Sequence, residues 1–153
     1  MIPVKIRTAE KDDLEKILEL YKGLTEDPDD KITLEEAEEK FNKLRTYPEY
    51  KIYVAEYGNE IAGTFALLIM DNLAHRGEPS SIVEDVVIKK GLQGKGLGKE
   101  MMKFAMEISR QKGCYKMVLS SHLRRESAHN FYESLGFEKH GFSFVVNLTK
   151  DNP

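Results

Sequence analysis

Four glycines occur within eight residues where an apolar stretch gives way to a lysine-rich one, in the segment EDVVIKKGLQGKGLGK from Glu84 to Lys99. A strand that enters a helix through glycines presents backbone N–H groups without intrahelical partners, and the helix dipole favours an anion there. Glycine lets a phosphate approach the backbone and permits left-handed turns. Lys95, Lys99 and Lys103 are spaced by four and share one helix face. The segment predicts a polyphosphate site; the alternative is a flexible turn beside solvated lysines.

Two familiar phosphate-binding patterns do not fit this segment. The dinucleotide fingerprint G-x-G-x-x-G fails because its last position is Lys99 when it starts at Gly94, and Met101 when it starts at Gly96. The P-loop pattern fails because Leu97 stands where that pattern has lysine. A Rossmann dehydrogenase and a nucleotide triphosphatase are therefore both disfavoured.

Composition and length bound the class of protein. The chain has 153 residues, 41% hydrophobic and 32% charged, which predicts a single globular domain over residues 1–153. The net charge of −3 argues against a nucleic-acid binder that relies on a large basic field. The single cysteine, Cys114, cannot form an internal disulfide, and no signal peptide is visible, so we expect a cytoplasmic protein. The longest apolar run, 61–70, is about half of what a membrane helix needs, so no membrane association is expected.

The elements that must position the glycine segment follow from periodicity. Strands are predicted at 4–8, 50–57, 61–70, 81–88, 115–121 and 142–148. Helices are predicted at about 11–25, from Thr33 to about 45, at about 96–112 and around 128–135. Thr33 precedes Glu36 by three residues, which is the spacing of a capping box. The order β-α-α-β-β-β-α-β-α-β predicts an α/β (α+β) fold with a mixed sheet and helices on both faces.

Two separated motifs resemble the GNAT N-acetyltransferases. VVIKKGLQGKGLGKEMM is similar to their acetyl-CoA-binding segment, whose pattern [QR]-x-x-G-x-[GA] is matched by Gln93, Gly96 and Gly98. AHNFYESLGF resembles their second segment, Y-E-x-x-G-F, which begins here at Tyr132. The predicted element order is also that of the family. Within it, IVEDVVI, GCYK and NFYESLGF are similar to the glucosamine-6-phosphate N-acetyltransferases and their small relatives.

The resemblance implies a mostly antiparallel GNAT sheet and acetyl-CoA as acetyl donor, with no metal. The pantetheine arm would lie along the strand before the glycine segment, and the diphosphate would lie on the amides that follow. The residues so implied to bind the coenzyme are Val86, Val87, Ile88, Gln93, Gly94, Lys95, Gly96, Leu97, Gly98, Lys99, Phe131 and Tyr132.

Attack of an amine on a thioester needs a deprotonated amine, a stabilised oxyanion and a proton for the thiolate. The resemblance implies that Tyr132 supplies that proton; the alternative is a core tyrosine. It implies Glu84 as the base, acting directly or through water, unless Glu84 is a solvent-facing or ion-paired strand residue. Asp85 would face the opposite side of the strand unless a bulge intervenes, as is usual in the family. An N–H near Val86 is the implied oxyanion donor.

The sequence departs from the family at two points. Arg125 stands where the family often has an asparagine that contacts pantetheine. The glucosamine-6-phosphate enzymes have an aspartate after the strand that follows GCYK, but LSSHLRR here contains none, which counts against an amino-sugar phosphate as substrate. Arg76, Arg124 and Arg125 are expected to border the acceptor mouth, either binding an acidic acceptor or remaining solvated.

We therefore expect an enzyme, an N-acetyltransferase that moves acetyl from acetyl-CoA to a primary amine of a small molecule of amino-sugar or amino-acid type. Direct transfer in a ternary complex is expected because no residue is placed as a covalent nucleophile. The alternatives are a protein or peptide N-acetyltransferase and a non-catalytic acetyl-CoA sensor. The apolar segment 142–148 could pair with a second copy, which makes a homodimer a further expectation.

Overall fold

The computed structural model describes residues 2–149, which divide into two units at the boundary between Leu119 and Ser120. The strands of the first unit are β1 (Val4–Thr8), β2 (Tyr50–Tyr57), β3 (Glu60–Met70), β4 (Ser80–Ile88) and β5 (Lys116–Val118). Its helices are α1 (Leu14–Tyr21), α2 (Leu34–Leu44) and α3 (Leu97–Gln111). The second unit contains α4 (Glu126–Ser134). None of the helices described is both long enough and apolar enough to cross a membrane.

The five strands form one sheet in the order β1-β2-β3-β4-β5. The first three pairings are antiparallel, whereas β5 runs parallel to β4. The β4–β5 pairing is confined to Ser80–Ile82 against Lys116–Val118. Within residues 2–149, β4 therefore has no strand beside it on the β5 side from Val83 onward. The predicted mixed, mostly antiparallel sheet is confirmed.

Helices cover both faces of the sheet. Successive side chains of β2 point to opposite faces, so this strand packs against helices on both sides. Val54 packs with Leu14 and Ile17 of α1 and with Phe41 of α2 in one buried cluster. The next residue along, Tyr53, lies on the other face, where it stacks on Phe65 at 5.1 Å and meets Phe104 of α3 edge-on at 5.4 Å. Each such buried side chain contributes about 1.5–3 kcal/mol.

Helix α3 is held closely against β3 and β4, the strands that lead into the glycine segment. A side chain at Gly63 would bring its Cβ within 2.9 Å of Met101 Sδ, so glycine permits this approach. The hydroxyls of Ser81 in β4 and Ser109 in α3 lie 2.8 Å apart, and both residues are buried. Met101 holds the first part of α3 close to β3 at Gly63, and the Ser81–Ser109 contact joins the beginning of β4 to the last part of α3.

The predicted last strand is wrong. Residues 142–148 form no strand, and four of their apolar side chains are more than four-fifths exposed: Phe142, Phe144, Val145 and Leu148. The apolar, β-branched composition is typical of a strand, but a strand also needs a neighbour for its N–H and C=O groups. Residues 2–149 supply no such neighbour to this segment.

Two other boundaries differ from prediction. Helix α1 ends at Tyr21 rather than near Thr25. Glycine at position 23 disfavours helix. Strand β5 spans only Lys116–Val118, whereas a strand was predicted at 115–121. The capping box is confirmed: Thr33 Oγ1 accepts from Glu36 N at 3.2 Å, and Glu36 Oε2 accepts from Thr33 N at 2.7 Å.

Candidate functional site

The loop between β4 and α3 turns through glycines in left-handed conformations. Gly91, Gly94 and Gly96 have φ of 90°, 79° and 85°. A Cβ added at any of them would meet no atom within 4 Å, so the loop is open to solvent there. Backbone conformation, rather than crowding within the protein, is therefore the reason that glycine is needed at these positions.

The first turn of α3 carries backbone donors that the helix does not use. The first intrahelical bond at this end runs from Glu100 N to Gly96 O at 3.1 Å, so the N–H groups of Leu97, Gly98 and Lys99 precede it. Leu97 and Gly98 are buried, which fixes the donors in place. Helix α3 is 15 residues long, so its dipole adds positive potential at this end.

The lysines around this loop fall into two groups. Lys89 is paired with Glu60, and Lys103 lies 3.9 Å from Glu100. Lys95 and Lys99 are exposed and have no ion-pair partner in the part of the chain that the structure describes. The loop can therefore offer an anion both backbone donors and the exposed ammonium groups of Lys95 and Lys99.

Strand β4 contains a bulge in the middle of its unpaired edge. Thr64 of β3 faces Val87 and Ala66 faces Glu84, so one residue of β3 stands opposite two of β4. Asp85 takes a left-handed backbone, with φ of 53°, at this point. A bulge bends its strand and re-aims the side chains beyond it. The bulge that would bring Asp85 to the same side as Glu84 is therefore present.

Two tyrosines, Tyr21 and Tyr50, lie near the bulge on one face of the sheet. Tyr50 shares its face of β2 with Ile52, which packs against the α1–α2 cluster, as does Tyr21. Burial raises the pKa of Tyr50, and the charges of Asp85 and Glu84 raise it further. Burial raises the pKa of Tyr21, and the charge of Asp85 adds to the effect. The strand register places Glu84 on this face, which α1 and α2 cover, because Glu84 stands opposite Ala66 and Ala66 stands opposite Ile52. The bulge allows Asp85 to face the same side.

The bulge also changes the acid–base character of Asp85. The residue is accessible to solvent, but partial burial of its carboxyl raises its pKa. A carboxylate with a raised pKa is a stronger base in its ionised form. The sequence pattern indicated Glu84 and Asp85 but not Tyr21 or Tyr50, because only the tertiary structure brings those two rings beside the bulge.

In the second unit, Tyr132 lies among aromatic rings on α4. Its ring is tilted against Phe131 at 5.3 Å and edge-on to Phe137 at 5.6 Å. Burial raises the pKa of Tyr132, and the positive charge of Arg125 opposes that rise. The hydroxyl of Ser121 is buried and has no hydrogen-bond partner within the described residues. The unit thus holds a rigidly packed phenol and a buried hydroxyl that lacks a partner.

The predicted site residues fall into the two units as follows. The first unit brings Glu84, Asp85, the strand residues 86–88 and the loop residues 93–99 into one continuous stretch of structure. The second unit holds Phe131 and Tyr132 on one helix. Across residues 2–149, no group of three or more His, Cys, Asp or Glu side chains could hold a metal ion.

Known proteins and structures are similar to this chain over most of its length. The family model for the acetyltransferase (GNAT) family matches residues 14–137. Glucosamine 6-phosphate N-acetyltransferase of Trypanosoma brucei brucei is 34% identical over 148 residues, covering 97% of this chain and 98% of that protein. A putative acetyltransferase from Agrobacterium tumefaciens has a TM-score of 0.87 and 32% identity, covering 94% of this chain and 99% of that one. The crystal structure of glucosamine-6-phosphate N-acetyltransferase from Arabidopsis thaliana has a TM-score of 0.84 and 29% identity, covering 95% and 99%.

The predicted family, fold class and enzyme class are thereby confirmed. The matched range covers most of the chain and includes both the glycine loop and the Tyr132 segment. The chain belongs to the GNAT family of acetyltransferases.

Proposed function

We propose that this acetyltransferase moves the acetyl group of acetyl-CoA to a primary amine of a small molecule, by direct transfer in a ternary complex. The observation that carries the proposal is the unpaired edge of β4, which leads through an open glycine loop to the unused donors of α3. That arrangement suits a ligand with an extended amide-containing arm and a diphosphate. Acetyl-CoA has both.

The residues present fit the coenzyme. Val86, Val87 and Ile88 would hydrogen-bond the pantetheine amides along the free edge of β4. The amides from Gln93 to Gly98 would hold the diphosphate, with Lys95 and Lys99 offsetting its charge. Phe131 would pack against the arm.

The same residues account for the transfer of acetyl. Asp85, with Glu84 as its neighbour, accepts the proton that the acceptor ammonium must lose. The freed amine attacks the thioester carbonyl, and the N–H near Val86 stabilises the oxyanion. A C–N bond forms, the C–S bond breaks, and Tyr132 donates its hydroxyl proton to the departing thiolate. The attacking nitrogen loses its second proton, which restores the hydroxyl of Tyr132, and Asp85 releases its proton to solvent. The products are an N-acetyl amine and free coenzyme A.

The test is an assay of free-thiol release from acetyl-CoA with a panel of amino sugars, amino acids, polyamines and peptides. We expect release to depend on a small amine. Release only with peptides would favour protein N-acetylation. If acetyl-CoA binds but no amine gives any thiol, the chain is a sensor and the transfer proposal is wrong.

We also propose that two copies associate through residues 142–148. Phe144 and Val145 are 93% and 95% exposed, which is unfavourable for apolar side chains in water. A second copy could supply the strand neighbour that this segment lacks within residues 2–149. Small-angle scattering should give the mass of a dimer, and a monomeric mass would contradict the proposal.

A further inference from the structure

The face of the sheet on which Glu84 and Asp85 lie carries aromatic rings as well as carboxylates. Glu84 stands opposite Ala66, and Ala66 stands opposite Ile52. Glu84 therefore shares a face of the sheet with Ile52 and Tyr50, and Tyr21 packs against the buried cluster on that face. The charge of Asp85 adds to the rise in the pKa of both tyrosines. Tyr47 meets Tyr50 edge-on, with ring centroids 6.3 Å apart. Ring faces attract cations, and carboxylates pair with them. This set of side chains suits a cationic ligand.

The chain around this face has a strong charge bias. Residues 10–40, which include α1 and most of α2, contain 13 acidic and 5 basic residues, a net charge of −8. The whole chain has a net charge of −3, so the remaining residues carry +5. This acidic segment reaches β4: a Cβ at Gly23, two residues after Tyr21, would lie 3.5 Å from the Val87 side chain. Such a field attracts cations and repels anions before they bind.

Two of the five basic residues of this segment are paired with carboxylates. Lys11 pairs with Glu38 at 3.5 Å, and Lys22 pairs with Glu19 at 3.9 Å. Phosphate recognition usually requires a convergent set of arginines, lysines or backbone donors. In the first unit the structure offers such a set at the other end of β4, in the glycine loop assigned to the coenzyme.

Glu84 and Asp85 would have separate roles in the reaction. The reacting amine must become neutral, and its proton passes to Asp85. Glu84 then still carries a negative charge beside Tyr50. An acceptor with a second ammonium group would keep that charge paired throughout the reaction, whereas a simple monoamine would not.

From these observations we propose that the acceptor is a small amine with at least two positive charges and no phosphate, such as an α,ω-diamine or polyamine. Its second cation is held by Glu84 against the rings of Tyr21 and Tyr50. The inference rests on the acetyl transfer proposed above and names the acceptor class of that site. It separates this chain from relatives whose names state a glucosamine 6-phosphate acceptor.

The test compares kcat/KM at saturating acetyl-CoA for 1,4-diaminobutane, 1-aminobutane, glucosamine and glucosamine 6-phosphate. We expect the diamine to exceed the monoamine of equal length by about tenfold or more, which corresponds to 1.4 kcal/mol. The advantage should shrink as ionic strength rises, since exposed charges are screened. Equal values for the two amines would overturn the inference, and so would a preference for glucosamine 6-phosphate.

Two variants locate the effect. Glu84→Gln should bring the ratio of diamine to monoamine kcat/KM close to one, whatever its effect on absolute rates. Glu107→Gln serves as the matched control, because Glu107 lies on α3 and pairs with Arg110 at 3.7 Å; its ratio should equal that of the wild type. An unchanged ratio in Glu84→Gln contradicts the assigned role.

Failure of this inference can be told apart from failure of the proposed function. If glucosamine 6-phosphate or glucosamine is acetylated efficiently and diamines are inert, acetyl transfer stands and the cationic acceptor is wrong. If acetyl-CoA binds but no amine releases thiol, both are wrong.

Discussion

Replacement of Tyr132 by phenylalanine is expected to lower kcat by about a hundredfold, within the range usual for loss of a general acid or base. The substitution removes the hydroxyl that would protonate the departing thiolate. It keeps the ring, and with it the contacts to Phe131 and Phe137, so KM for acetyl-CoA should change little. Steady-state kinetics with varied acetyl-CoA separate the two constants.

Tyr57→Phe is the matched control for this experiment. Tyr57 is the last residue of β2 and pairs with Val4, at the β1 side of the sheet. Its loss of a hydroxyl should leave kcat unchanged. If Tyr132→Phe turns over every accepted amine at the wild-type rate, the proton comes from another group and Tyr132 is a packing residue.

Replacement of Asp85 by asparagine is expected to lower kcat/KM about a hundredfold at neutral pH without loss of stability. The wild-type rate should fall as pH drops through the raised pKa of Asp85, because protonation removes the base. That acidic limb should be absent or displaced in the variant. A pH profile of kcat/KM for both proteins measures the difference.

The direction in which Asp85→Asn changes the stability of the protein follows from the same pKa. Because the pKa of Asp85 is raised in the folded state, folding loses stability as pH rises from the unfolded value through the raised one. Above that raised pKa the loss is fully present, and asparagine removes it. Asparagine also tolerates the left-handed φ of 53° at this position. Asp85→Asn should therefore be at least as stable as wild type at pH 7, by urea unfolding.

Asp71→Asn is the control for both measurements, since Asp71 is exposed just after β3. It should change neither the pH profile nor the free energy of unfolding. A wild-type profile in Asp85→Asn would return the role of base to Glu84 or to a water molecule. Marked destabilisation would show that the carboxylate has a structural role instead.

Local patterns predicted much of the fold. Strands β1 and β2 have the predicted bounds because alternation extends to their ends, and hairpin residues follow β2. Helix α2 begins where the Thr33 box placed it, since capping depends on residues only three apart. The glycine loop was also predictable. Three residues among six have a left-handed φ, which favours glycine, and those glycines can be read directly from the sequence.

The face of the sheet that carries Glu84 was only partly predictable. A bulge at Asp85 depends on the register between β3 and β4, which no local pattern specifies. Tyr21 appeared in the sequence as one more apolar position on a helical stripe, and Tyr50 as a β-former. Their proximity to Asp85 is a product of tertiary packing. The final strand was predicted wrongly for a related reason: composition indicates a strand, but a neighbouring strand must form it.

Binding of the coenzyme A diphosphate by the glycine loop underlies every role proposed above. Calorimetric titration of acetyl-CoA into the pure protein measures this binding. Gly96→Asp would place a carboxylate at the anion site, and Gly58→Asp is its matched control. Gly58 also has a positive φ, 66°, and open space around its Cβ, but it lies in the hairpin between β2 and β3. Aspartate adopts a positive φ more readily than most side chains, and the strain that remains is common to the two variants.

We expect saturable binding of acetyl-CoA by the wild type and by Gly58→Asp. In Gly96→Asp the Kd should rise by about tenfold or more, which corresponds to about 1.4 kcal/mol. Circular dichroism would show that both variants are folded. No uptake of acetyl-CoA by the wild type at millimolar levels, or equal affinity in the two variants, would contradict the claim.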